Sequence, residues 1–168
     1  QLIMLEVIMN KKIKTLFIIY MIILIWIILF KLSINIGDMD TIRKINLRLF
    51  YYEDTVTFQV REVIENIIIF IPMGIMLKCM GVNTKKSVLI GFITSFILEM
   101  MQYILAIGVS DITDIVTNTS GVIIGSYIYM IFLMIFKNRE IINNIVFMIG
   151  CILFSMFMMF YIMIMIVN

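Results

Sequence analysis

Residues 16–30 read LFIIYMIILIWIILF, a run with no charged side chain and with Tyr20 and Trp26 as its only polar atoms outside the backbone. A helix that is apolar on every side has lipid or protein all round it. About 20 such residues are needed to cross the hydrocarbon core, and residues 13–32 supply them. Four more apolar stretches follow, at about 63–80, 88–107, 114–136 and 141–167, the last long enough to tilt. The composition agrees. Of 168 residues, 63% are hydrophobic and 14% charged, with a mean hydropathy of +1.14. A soluble domain is apolar for only about 45–50% of its residues and needs more charge to cover its surface. The fold class read from these runs is all-α: a polytopic membrane helix bundle of about five transmembrane helices.

The basic residues orient it. Lys11, Lys12 and Lys14 precede the first run, Lys78, Lys85 and Lys86 lie between the second and third, and Lys137 and Arg139 lie between the fourth and fifth. With an N-terminus inside, all three clusters are cytoplasmic, as the positive-inside rule requires. Residues 1–12 then read as a cytoplasmic segment, 13–136 as a transmembrane domain with an extracellular loop at 33–62, and 141–167 as an additional C-terminal transmembrane helix. The first run exceeds the usual core of a signal peptide and no small-residue cleavage site follows it, so it reads as an uncleaved helix. Met9-Asn10-Lys11-Lys12 resembles a start, on which reading residues 1–8 would be an upstream extension. In the outer loop, Ile42, Ile45, Leu49 and Tyr52 recur at helical spacing with Arg43, Lys44, Asn46 and Arg48 largely opposite, which predicts a short amphipathic helix on the membrane surface.

Several chemistries are excluded. The chain has no histidine, so Ser-His and Cys-His catalysis and histidine metal sites are absent. Cys79 and Cys151 both lie in apolar runs and suggest neither a disulfide framework nor zinc. No cofactor and no metal is expected. A net charge of +2 without a continuous basic patch gives no reason to expect a nucleic-acid partner. The 17 methionines are spread through the chain, so the group at Met156, Met158, Met159, Met163 and Met165 reads as lipid-facing filler. Trp26 reads as packing, and Tyr51 and Tyr52 as ordinary interfacial tyrosines.

Ionisable and amide side chains inside spans are costly and mark a site by default. The second run holds Glu65 and Asn66 near its outer end, then Pro72 and Gly74; the third holds Glu99 and Gln102; the fourth opens with Asp111, Asp114, Thr117 and Asn118. Glu99 lies about eight residues, roughly 12 Å of helix, from the outer end of its span. All these groups therefore fall in the outer half of the bilayer. Glu99 and Gln102 share a helix face. If the helix starts near Asp111, then Asp111, Asp114, Asn118, Gly121 and Gly125 form one seam, polar outside and a GxxxG surface within. That surface would serve an internal contact or a homo-oligomer equally well. Pro72 is expected to bend its span.

At these residues the chain resembles the VanZ-like membrane proteins. Asn66-Ile-Ile-Ile-Phe70-Ile-Pro72-Met-Gly74 looks like their NxxxFxPxG motif, Glu99-Met-Met-Gln102 like their ExxQ motif, and residues 111–125, with Asp111, Asp114, Asn118, Gly121 and Gly125, like their DxxDxxxNxxGxxxG motif. The three occur in the family's order and spacing, over roughly residues 13–136. Where many members carry a basic residue shortly before the first aspartate, this chain has Gly108-Val109. The family's namesake is an accessory protein of glycopeptide resistance that lowers susceptibility to teicoplanin, and members occur mostly in the membranes of Gram-positive bacteria. The resemblance implies a cell-envelope role.

Three readings stay open. In the first, Asn66, Glu99, Gln102, Asp111, Asp114 and Asn118 bind a polar headgroup: that of a membrane lipid, a lipid-linked envelope precursor or a lipoglycopeptide antibiotic. Fixed carboxylates and amides suit ammonium groups and sugar hydroxyls. In the second, the chain is an intramembrane enzyme, with Glu99 as general acid or base and Asp111 and Asp114 holding a divalent cation. In the third, these groups only bond helix to helix in a scaffold without a ligand.

Overall fold

A computed structural model describes residues 2–30, 42–50 and 56–167. Its elements are α1 (Leu2–Phe30), β1 (Ile42–Asn46), α2 (Val56–Cys79), α3 (Thr84–Leu105), β2 (Ile107–Asp111), α4 (Ile112–Phe136) and α5 (Arg139–Val167). The five expected helices are all present among the described residues. Four are long and apolar enough to cross a membrane, over Lys11–Leu29, Thr84–Leu105, Ile112–Phe136 and Arg139–Ile166. The exception is α2, which carries Arg61, Glu62 and Glu65 in its first half and Lys78 near its end. α1 begins at Leu2 and not near Ile13, and α2 begins at Val56, ahead of the expected Val63.

Local chemistry sets the helix ends. Asn83 caps α3 by accepting the Lys86 N–H at 2.8 Å, and Asn138 accepts the N–H groups of Glu140 and Ile141 at the start of α5. Ala106 and Lys137 take left-handed conformations that close α3 and α4.

Contacts fix the directions of the helices. Asn66 meets Asp114, Gly121 lies on Ile67 and Gly125 on Ile71, so α2 and α4 run parallel. Asn118 meets Ser95 and Gly91 meets Val122, so α3 runs against α4. Lys12 lies over Phe147, Leu16 on Gly150, and Trp26 edge-on to Phe157 and Tyr161, so α1 and α5 run parallel. Tyr20 of α1 meets Ile69 of α2, and Ile28 of α1 meets Gln102 near the end of α3, so α1 runs with α3 and against α2, and each helix reverses the one before it. Lys78, Lys85, Lys86, Lys137 and Arg139 gather at one end of the bundle, and Glu99, Gln102, Asp111 and Asp114 at the other.

The core is apolar: Leu24 and Leu29 of α1, Phe70, Met73 and Leu77 of α2, Leu98 of α3 and Val122 of α4. Its tightest seam is α2 against α4. A methyl group built at Gly74 would strike the carbonyl oxygen of Val122; at Gly121, that of Ile67; at Gly125, that of Ile71. The GxxxG surface is therefore occupied within the chain by α2. Pro72 lies inside α2, which continues through it. The ring removes the donor for the Ile68 carbonyl, and in the same turn the Tyr20 hydroxyl of α1 donates to the Ile69 carbonyl at 2.7 Å.

The outer connector departs from expectation. Residues 42–46 form a strand, not an amphipathic helix, and pair in parallel with residues 107–111. Ile42 faces Ile107 and Asn46 faces Asp111 in register. A helix of that length is marginal alone, whereas pairing satisfies backbone groups on both segments at once. The spacing of three apolar residues favours a helix, and pairing with a segment distant in sequence overrides it. Tyr52, the last residue of the helical pattern, and its neighbour Tyr51 lie outside the described residues.

Candidate functional site

The site is built where α3 ends and α4 begins. Asp111 is the hub. It is not the first residue of the α4 seam, as the spacing suggested, but the N-cap before it: one carboxylate oxygen accepts the Thr113 N–H at 2.7 Å, and the other accepts the Asn46 side-chain amide at 2.9 Å. Its own backbone N–H donates to the Glu99 carboxylate at 2.8 Å. Glu99 thus reaches across from α3 to hold the corner from which α4 departs. A capping carboxylate here also lies at the positive end of the α4 dipole.

One turn on, Asp114 turns to α2 and accepts the Asn66 amide at 2.7 Å. Asn118, a further turn down, faces α3 and donates to the buried Ser95 hydroxyl at 2.9 Å. Gln102 points to α1 and donates to the Ile28 carbonyl at 3.0 Å. The six predicted side chains therefore share one end of the bundle but do not converge on one point. They tie α4 to α2, α3 and β1, and α3 to α1.

Burial divides the six. Glu99, Gln102, Asp111 and Asn118 are each no more than 6% exposed, and they bond to other elements of the bundle. Asn66 and Asp114 are half-buried and reach the surface. The acceptors of this half-buried pair, the Asp114 carboxylate and the Asn66 side-chain oxygen, suit an ammonium group or hydroxyls. Two further acceptors, Gln102 Oε1 and Asn118 Oδ1, are buried without a hydrogen-bond partner among the described residues. Among the described residues, no three His, Cys, Asp or Glu side chains gather as a metal site requires. Glu65, a neighbour of Asn66 in sequence, points away and pairs with Arg61 at 2.6 Å in an exposed position; that hydrogen bond and charge raise the guanidinium above its ordinary range.

Asn46, Ser95, Thr113 and Tyr20 were not singled out as site or framework residues, yet each bonds to a residue of the site or its proline turn. Ser95 was readable: with Gly91, Glu99 and Gln102 it makes a small and polar face on α3 at spacings of four, four and three. Asp-x-Thr at residues 111–113 is a capping pattern. Asn46 carried no local signal, since its role depends on a pairing between segments far apart in sequence.

Fold and site together define a helical membrane protein in which carboxylates and amides from α2, α3 and the start of α4 are assembled at one end of a glycine-sealed bundle. The comparisons place that class. A family model described as VanZ/LLP1 matches residues 17–137. A protein named Protein VanZ, from Enterococcus faecium, is 41% identical over 118 residues, spanning 66% of this chain and 68% of that one. No solved structure matches. This chain belongs to the VanZ-like family, and the match ends before α5.

Proposed function

We propose that this chain is a multi-pass protein of the cell membrane, with its basic end in the cytoplasm and its carboxylate end in the outer leaflet. There it binds the polar head of an amphiphile and lowers susceptibility to teicoplanin-type lipoglycopeptides. The orientation rests on the basic residues gathered at one end. The resistance role rests on family membership and on the similarity to Protein VanZ. The observation that carries the site is the half-buried Asn66–Asp114 pair, set beside a framework of four buried polar side chains. The head it accepts is a donor, ammonium or hydroxyl, on a membrane lipid, a lipid-linked envelope precursor or the antibiotic itself.

The test is susceptibility to teicoplanin and vancomycin in a sensitive Gram-positive host expressing wild type or Asp114→Asn at matched membrane levels. The expected outcome is protection against teicoplanin by wild type and its loss in the variant. Asn is nearly isosteric with Asp and can still accept from Asn66, so framework stability changes little while the charge is gone. No protection by a correctly inserted wild type would remove the resistance role.

A further inference from the structure

Residues 45–50 are unusually apolar for a connector. Ile45, Leu47, Leu49 and Phe50 are each more than half exposed, Leu47 to 74%. The segment is nevertheless fixed. Asn46 holds the Asp111 carboxylate at 2.9 Å, the Arg48 N–H donates to the Asn46 carbonyl oxygen of the side chain at 3.1 Å, and the Phe50 N–H donates to the Thr113 hydroxyl at 3.1 Å. Phe50 has a φ of 55°, a left-handed backbone that an aromatic residue seldom adopts, and its bond to Thr113 helps hold it there.

These bonds set the depth of the segment. The 25 residues of α4 make about 37 Å of helix, against about 30 Å of hydrocarbon core. The first turn of α4, where Thr113 binds Phe50, therefore lies within a few ångströms of the core boundary. α3 ends one residue before β2, and its last turn exposes Ile104 and Leu105. The apolar side chains of residues 45–50 are thus tethered level with the ends of two spans.

We propose that residues 45–50 form an apolar foot embedded at the boundary between headgroups and acyl chains, with bilayer phospholipid as its partner. Through Asn46 and the Phe50 backbone the foot holds the start of α4, and with it Asp111 and Asp114, at headgroup depth. This inference needs α3 and α4 to span the bilayer but does not depend on which ligand the carboxylates accept or on which leaflet they face.

The full chain is reconstituted in phosphatidylcholine vesicles. Phe50→Trp is made in a Trp26→Phe background, so that one indole reports. Leu47→Trp in the otherwise unaltered chain, read as a difference from its parent, serves if the first variant does not insert. The expected result is blue-shifted emission, most of it lost in lipids brominated near the glycerol end of the chains, less in lipids brominated near the chain ends, and little in aqueous iodide. Quenching by iodide in place of bromolipid would put the segment in water. Insensitivity to both would put it under protein, in a second copy or elsewhere in the chain. Stronger quenching from the chain ends would put it deeper than the boundary. Each of these overturns the proposal. A negative susceptibility result for the proposed function leaves this readout unchanged, so the two fail separately.

Discussion

From Asp111 to Asn118, α4 meets its neighbours through polar side chains, one at a time: Asn46 and Glu99 at the cap, Asn66 at Asp114, Ser95 at Asn118. From Gly121 to Gly125 it meets α2 mainly at the backbone, Gly121 against the Ile67 carbonyl and Gly125 against the Ile71 carbonyl, with only the Phe70 Cβ beside Gly121. The two stretches are consecutive in one helix, yet they tolerate change differently. A hydrogen bond between side chains can be lost singly. A backbone contact made through glycine has no slack, because anything larger moves the whole helix. The glycine seam therefore acts as the fixed reference, and the polar stretch is the part free to carry chemistry.

The largest expected effect falls on the seam. Gly125→Leu would drive a side chain into the Ile71 carbonyl and the Ile75 backbone, so the expected outcome is loss of folded protein from the membrane, read by detergent-resistant folding and by accumulation at matched transcript. Normal accumulation would mean that α2 and α4 separate freely, and the comparison would break at its firmer side. The next effect falls on the cap. Glu99→Ala leaves the buried Asp111 N–H without its acceptor and should cost about 1–3 kcal/mol, measured by unfolding in mixed micelles. Glu99→Gln keeps an acceptor oxygen and should recover most of that loss. The smallest falls on the deeper polar pair. Asn118→Ala and Ser95→Ala should each cost on the order of 0.6–2 kcal/mol, and the double variant should cost less than the two together because they share one bond. Strict additivity would show that the bond carries no weight.

Much of this was legible in the sequence, for identifiable reasons. Lipid demands length and apolarity from a span, so the runs around residues 16–30 and 88–107 announced α1 and α3 without ambiguity. Polar residues are rare enough in spans that Asn66, Glu99, Gln102, Asp114 and Asn118 stood out. GxxxG announced a close contact, though not its partner; the structure supplies Ile67 and Ile71 of α2. Long-range pairing was not legible. β1 and β2 are short, separated by two helices and joined by register alone, and the spacing of Ile42 and Ile45 favours a helix over the strand they form. Asp111 was placed on the helix because its spacing to Asp114 is helical, whereas an aspartate before Ile-Thr competes for the backbone as a cap. The division of six polar residues into four buried braces and one half-buried pair follows from which neighbour each side chain faces, which spacing does not record.

The central claim is that the carboxylate end of the bundle lies at the outer surface and the basic end inside. It is tested by labelling intact cells with a membrane-impermeant maleimide, in a chain whose Cys79 and Cys151 are replaced by serine. One new cysteine is placed at Val109, exposed in β2 beside the site, or at Lys137, exposed between α4 and α5. The account predicts that Val109→Cys is labelled from outside and that Lys137→Cys is labelled only after the membrane is opened. The reverse pattern would put the carboxylates in the cytoplasm and contradict an outer-leaflet site.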